Sequence, residues 1–422
     1  MRLSANDGSF FGAGSLYSTT QNLYDLDSFL VEQKQSPSRD LVIGNDAADA
    51  DSIVSAICLA FIERKTPIVP ISRETFVYER PEVESLLELA GISNASTKLL
   101  YIEDLIDILQ NSDSTEDDVR RRLTLVDHNT INDSLHKFRH MFDVVEIVDH
   151  HIDEKRYTET CSGKQRTIAF ESGKALVAST TTLVAEELLL DQTDTPLPSI
   201  ATLLLGVILL DSVNLDESIG KVTYRDRDAV SHLLTETDWS KSALLAYLIP
   251  SDEGRLTIDT NELFSHLQHA KYEPEFWQAF SVERGLGYDY KAFALGENEE
   301  QQSFGISTIL MPGFSFLEKE DFILKTVEFM RSKEISFLGI MFAYYDLTAG
   351  FQRQLAFCSY EDQRLVATRL YEELDLKEVD IDTLELRSNE IQVHLYDQGN
   401  IVPSRKQIGP LLIDYFSSRV DV

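Results

Sequence analysis

Carboxylates and histidines recur at the ends of apolar runs in this chain, and that recurrence is where its chemistry is to be sought. The segments are Gly44-Asn45-Asp46-Ala47-Ala48-Asp49-Ala50-Asp51-Ser52, Leu125-Val126-Asp127-His128-Asn129, Val148-Asp149-His150-His151 and Leu209-Leu210-Asp211-Ser212. If each run is a strand of one open α/β sheet, the carboxyl ends of the strands border a common crevice, where such sheets bind ligands. Asp49, Asp51, Asp127, His150 and Asp211 then meet. So many acids do not stay ionised side by side without cations, and carboxylate and imidazole donors suit divalent metals. Taken singly, each feature is ordinary. A lone Asp after an apolar run is commonly a helix cap or turn residue, and a His pair commonly lies on the surface. The repetition in order argues for a metal site.

The elements that must position these residues are legible from their patterns. Leu41-Val42-Ile43 reads as a strand, followed by a helix from Ser52 to Arg64 with Asp51 or Ser52 placed to cap it. Leu123 to Val126 and Val144 to Val148 read as further strands, Ser179 to Leu190 as a helix, and Leu203 to Leu210 as a buried helix or strand. Apolar strands alternating with helices predict a parallel sheet covered on both faces. The character changes between Leu233 and Glu253. Beyond lie strand candidates at Phe304 to Leu310, Ile335 to Tyr344, Gln354 to Ser359 and Ile391 to Leu395. Helix candidates lie at Glu320 to Lys333 and Val366 to Leu374. The expected fold class is α/β: a partly ordered tail at 1–38, a parallel-sheet domain at 39–235 and a smaller α/β domain with a mixed sheet at 255–418.

Composition narrows the partners. The formal net charge of -33 disfavours nucleic acid, which is bound by Lys and Arg neutralising phosphates. A polyanionic substrate needs a local positive site to overcome that field. Cys58, Cys161 and Cys358 are far apart and show no metal-ligand spacing, which fits a reduced compartment. With no apolar run of spanning length and no signal-peptide pattern, the expectation is a cytoplasmic protein with no membrane partner. The oligomeric state stays open.

At these residues the chain resembles the DHH phosphoesterase family, whose signature tripeptide stands here as Asp149-His150-His151. Within it the resemblance is to the branch of family II inorganic pyrophosphatases, yeast-type exopolyphosphatases and prune proteins. Tyr288-Asp289-Tyr290-Lys291, Phe304-Gly305-Ile306-Ser307-Thr308-Ile309 and Ser404-Arg405-Lys406-Gln407 are similar to elements of that branch's second domain. The resemblance implies two divalent ions (Mg, Mn or Co). Asp51, Asp127, His150 and Asp211 would hold one, and Asp49 and Asp127 the other, with Asp127 shared. It implies that His151 contacts the scissile phosphoryl group and that Lys291, Arg405 and Lys406 bind phosphate from the second domain, making His151, Asp127 and Arg405 the catalytic set. Asn45 stands where the pyrophosphatases have a histidine ligand, as in the exopolyphosphatase and prune types, and is expected near the substrate. Arg405 suits bidentate phosphate binding, and a helix beginning at Ser404-Arg405-Lys406 would itself attract anions. Asp149 is expected to orient a histidine ring, and His128 to lie near the site or fill space.

The activity so implied is release of terminal phosphate from inorganic polyphosphate. The alternatives are a prune-like short-chain polyphosphatase or cyclic nucleotide phosphodiesterase, an inorganic pyrophosphatase, and a regulatory scaffold on the same fold. The Gly-Gly-His segment with which the nuclease branch grips nucleic acid is missing from this sequence.

Overall fold

The structure is a computed structural model that describes residues 25–111, 120–190, 195–251, 254–295, 302–346, 348–360, 369–384, 386 and 390–417. The first sheet contains Asp40–Ile43 (β1), Thr66–Val69 (β2), Leu100–Tyr101 (β3), Arg121–Val126 (β4), Phe142–Asp149 (β5) and Arg166–Ile168 (β6). The strands lie in the order β3-β2-β1-β4-β5-β6, and every pairing is parallel. Successive side chains in a strand face opposite ways. Val42, Val69 and Val126 accordingly enter one core, with the helices Ala50–Glu63 and Pro198–Asp211, while Leu41, Ile43, Ile68, Leu123 and Leu125 enter another, with Leu105 and Leu109 of the helix Ile102–Asn111. The sheet is covered on both faces, as its apolar strands predict. The chain order reverses between β1 and β4, so the crevice opens beyond their carboxyl ends, with β5 alongside.

Gly44 makes the turn from β1 possible. A Cβ there would lie 2.2 Å from Ser52 Oγ and 2.7 Å from the Ser52 carbonyl oxygen, so only glycine lets the helix start this close to the strand. The helix begins at Ala50, and its cap is Asp49, whose carboxylate accepts from the Ser52 amide at 3.1 Å. The sequence favoured Asp51 or Ser52 for that role. Asp51 lies inside the helix, where it projects into the site. The run at 203–210 belongs to a helix, Pro198–Asp211. Asp211 therefore ends a helix, and three strand ends plus one helix end border the crevice.

Two further elements differ from expectation. A helix, Leu26–Gln35, lies in the segment read as a tail and buries Leu26, Phe29 and Leu30 in the first core. The helix Thr260–Tyr272 falls beyond the expected junction, yet its Leu263 and Leu267 also enter that core. We propose that the division between the domains falls after Tyr272, because apolar burial, not loop composition, defines where one core ends.

The second sheet runs Lys291–Leu295, Gln302–Ile309, Phe337–Asp346, Gly350–Ser359, Gln392–Gln398, Leu376–Val379 in spatial order. The pairing of Gln302–Ile309 with Phe337–Asp346 is parallel and the others are antiparallel, a mixed sheet as expected. The helix Phe322–Ser332 packs on one face and the helix Arg405–Ser417 on the other. Residues 366–368 of the expected helix at 366–374 lie outside the described residues, and Arg369–Glu373 is helical. Among the described residues no helix is long and apolar enough to cross a membrane. The three cysteines are free and buried.

Candidate functional site

The carboxyl ends of β4 and β5 deliver the central residues. Asp127, directly after β4, takes a left-handed φ of 62°, and its amide donates to Val148 of β5 at 2.9 Å. A non-glycine residue held in that region costs about 1–3 kcal/mol and persists because its surroundings fix it. Its carboxylate is buried and accepts from Asn45 Nδ2 at 2.6 Å and from Thr180 Oγ at 3.1 Å. His150 follows β5, and its Nε2 stands 3.4 Å from Asp127 Oδ1 and 3.7 Å from Asp51 Oδ2. The Nδ1 of that ring faces the Val177 carbonyl at 3.2 Å. Donation there leaves Nε2 as the lone-pair nitrogen aimed at the carboxylates.

Asp51 is held by the start of the helix Thr180–Leu190. Its oxygens accept from Ser179 Oγ at 2.5 Å, the Thr180 amide at 2.8 Å and the Thr181 amide at 2.9 Å. Free amides at a helix N-terminus favour a carboxylate. Even so, burial followed by the charges of Asp127 and Asp211 pushes the Asp51 carboxyl well above its ordinary range. Burial and then Asp49 do the same to Asp127, and burial raises Asp211 as well. The cluster is short of positive charge. Among the described residues, Asp127, His150 and His151 can each place one ligand atom within 4.8 Å of the others. With Asp51 beside them, these residues fit a divalent cation, because they are mutually repelling carboxylates with a neutral imidazole nitrogen.

His151 was expected to contact phosphate, but it also belongs to this group. Asp149, wholly buried, accepts from His151 Nδ1 at 2.8 Å, from the His150 amide at 2.8 Å and from Asn129 Nδ2 at 2.6 Å. Asp149 thus orients the second ring, as the sequence suggested. Burial and then the charge of Lys406 push the His151 imidazole down to about 3, so it is neutral at ordinary pH. His128 faces elsewhere: its ring nitrogens meet the Val126 carbonyl at 2.8 Å and Asn132 Oδ1 at 3.2 Å. Asp49 is exposed at the helix start and is coupled to Asp127 by charge. Asn45 Oδ1 accepts from the amides of Ala47 and Ala48, so this side chain shapes its own loop while bonding Asp127.

The second domain brings cations to this edge. Lys406 Nζ lies 3.0 Å from His150 Nε2, across 256 positions of sequence. Arg405 begins the helix Arg405–Ser417, and one of its nitrogens bonds both the carbonyl and Oδ1 of Asp289 at 2.6 Å. Lys291 starts the neighbouring strand, and burial followed by the charge of Arg405 lowers its ammonium. Sequence reasoning left aside the Ser179-Thr180-Thr181 clamp on Asp51, although its hydroxyl residues before an apolar run are a cap signal. It also passed over two lysines. Burial and then Arg353 push the Lys221 ammonium down to about 8 against the pull of Asp211. Burial disfavours the Lys271 ammonium, but Tyr272, Asp211 and Glu82 raise it. Lone lysines on a helix and in a loop carry no sequence signal.

The DHH family, N-terminal domain, matches residues 40–208, and the DHHA2 domain matches residues 275–415. The chain is 28% identical over 390 residues to exopolyphosphatase PRUNE1 of Rattus norvegicus, covering 90% of this chain and 76% of the relative. It is 26% identical over 397 residues to a Schizosaccharomyces pombe protein assigned as an exopolyphosphatase, covering 90% and 91%. A solved structure from Methanococcus jannaschii, assigned as a family II inorganic pyrophosphatase, superposes with a TM-score of 0.52 at 19% identity and covers 89% of this chain and 98% of its own, which is a likeness of fold. The chain belongs to the DHH phosphoesterase family, joining that family's N-terminal domain to a DHHA2 domain.

Proposed function

We propose that the chain is a metal-dependent phosphoric anhydride hydrolase that releases terminal phosphate from inorganic polyphosphate. The observation that carries this reading is the meeting of the two domains at the site, where Lys406 of one reaches His150 of the other beside Asp51 and Asp127. Two divalent cations, held by Asp51, Asp127, His150 and Asp211 and by Asp49 and Asp127, would neutralise phosphoryl charge and acidify an attacking water. Phosphoryl transfer otherwise asks mainly for positioning and charge neutralisation. The one N–H of neutral His151 goes to Asp149, so the ring would donate to a phosphoryl oxygen through its other nitrogen once the negative charge of the bound phosphate chain favours a second proton on it. Arg405, Lys406 and Lys291 grip the phosphate chain from the second domain, with Asn45 lining the floor beside Asp127. The cations offset the net charge of -33 only locally. The end of a polyphosphate chain fits that patch better than nucleic acid does.

The relatives named exopolyphosphatases support polyphosphate over pyrophosphate, as does Asn45, whose amide is committed to Asp127. Phosphate release from long polyphosphate, triphosphate, pyrophosphate and cyclic AMP, each with Mg, Mn or Co, tests the reading. Faster release from long polyphosphate than from pyrophosphate is expected, and a preference for pyrophosphate or cyclic AMP overturns the choice.

A further inference from the structure

Arg80 lies outside every motif considered above. It joins the helices Arg73–Glu79 and Pro81–Leu89 and is 1% exposed. A buried guanidinium needs partners, and the carboxylates nearby supply charge without a short hydrogen bond. The nearest oxygen of Glu79 is 3.9 Å away, and the buried carboxylate of Glu82 accepts no hydrogen bond. The donors go to main-chain carbonyls instead. Nε donates to Ala48 at 2.6 Å and one terminal nitrogen to Glu79 at 2.7 Å. The other donates to Ala47 at 2.5 Å and to Tyr288 at 3.2 Å. The guanidinium also sits 4.1 Å from the centre of the Tyr288 ring.

These partners belong to both halves of the cleft. Ala47 and Ala48 immediately precede Asp49, and Ala48 holds a left-handed φ of 51°. Tyr288 ends the helix Val282–Tyr288 and immediately precedes Asp289, which anchors Arg405. One planar fork therefore fixes the loop that carries Asp49 and grips the segment that carries the anchor of Arg405, across 208 positions of sequence.

We propose that Arg80 is a positioning residue that couples the metal-binding loop of the first domain to the phosphate-binding segment of the second, so that each half is set only when the other is. The proposal rests on the functional reading above for the roles of Asp49 and Arg405. Lysine at this position keeps the charge, but a point charge cannot serve carbonyls on both sides or lie flat on a ring.

The test is a double-mutant cycle in the full-length chain, read as calorimetric affinity for Mn and for imidodiphosphate in the presence of Mn. Arg80→Lys is expected to weaken imidodiphosphate binding roughly tenfold to a hundredfold, the range of one lost charge-assisted hydrogen bond. The loss from Arg405→Lys is expected to shrink by more than about threefold in the Arg80→Lys background, since contacts within one network are not additive. Tyr288→Phe, which keeps the ring and the carbonyl, should bind as the wild type does. Additive losses within about twofold overturn the coupling, because a residue serving only the stability of its own domain produces them. If Arg80→Lys does not fold, the cycle of Arg80→Gln with Arg405→Lys decides the question by the same criterion. Binding of the analogue does not depend on which anhydride is hydrolysed. A coupled cycle in a protein inactive on polyphosphate would sink the functional reading and leave Arg80 in place, and an additive cycle in an active enzyme would do the reverse.

Discussion

Asp127 of the first domain is buried and Asp289 of the second is half-buried at the same cleft, and their carboxyls shift in opposite directions. Burial and then Asp49 hold Asp127 well above the ordinary range, and Lys406 offsets that only in part. Burial acts the same way on Asp289, but Arg405 outweighs it and holds the carboxyl below the ordinary range. The difference is the partner, because a paired buried charge keeps its charge whereas a crowded one takes up a proton or a cation. One domain thus gathers anions that cations must reconcile, and the other arrives with Arg405 already anchored. On the proposed function, phosphate chemistry belongs at the boundary, where metal ions and basic side chains would share the substrate's charge.

The comparison breaks most severely at Asp127. Asp127→Ala should reduce hydrolysis about a thousandfold or more, on the order of 4 kcal/mol, because the shared ligand is lost. Turnover near that of the wild type in steady-state phosphate release would end the two-metal account.

Metal and protons should compete for the same cluster. The raised carboxyls of Asp51 and Asp127 mean that the folded, metal-free protein binds protons more readily than the unfolded chain does. Their contribution to metal-free stability is therefore present below the ordinary carboxylate range and is lost as pH rises from that range through the raised values of the folded state. Metal takes over where protons leave. Adding Mn at a hundredfold excess over its Kd should raise Tm by roughly 5 °C at neutral pH, and the rise should shrink as pH falls toward about 5. Differential scanning calorimetry at several pH values checks the trend, and a Tm gain that grows in acid would contradict it.

In the second domain, Arg405→Ala and Lys406→Ala should each cost roughly 1.5–3 kcal/mol in kcat/KM while Mn binding by calorimetry stays within a few-fold. Adding Asp289→Asn to Arg405→Ala sharpens this, since it removes the uncompensated carboxylate. Stability should recover and activity should not. Recovery of both would mean that Arg405 serves only its ion pair.

The smallest effect is expected at Asn45. Asn45→His replaces an amide bonded to Asp127 with a better ligand for Mn or Co. It should tighten Mn about tenfold or less and move activity toward pyrophosphate relative to long polyphosphate, by about 1 kcal/mol. Unchanged Mn affinity would remove Asn45 from the ligand position assigned to it.

Much of the site was legible because its signals are local. An apolar run followed by Asp or Asp-His-His marks a strand end within a few residues, and the strands β1, β4 and β5 lie where those runs predicted. Asp211 was misplaced because a uniformly apolar run has no period that separates a strand from a buried helix. The helix at Leu26 was missed because its apolar residues sit beside a polar segment whose composition dominated the reading. Asp49, not Asp51, caps its helix because Gly44 lets the turn tighten onto Ser52, a steric fact that composition does not carry.

By itself the sequence determined which residues end the strands, that acids and histidines would need cations, and that a mixed-sheet domain with basic residues would follow. These depend on side-chain alternation, helix periodicity and charge, which act between near neighbours. Only the tertiary structure decided the strand order that sets β1, β4 and β5 side by side, the reach of Lys406 to His150, and the fork of Arg80 between Ala48 and Tyr288. Those contacts join residues tens to hundreds of positions apart. They exist because two cores pack against one crevice, and packing of that range leaves no local pattern in the chain.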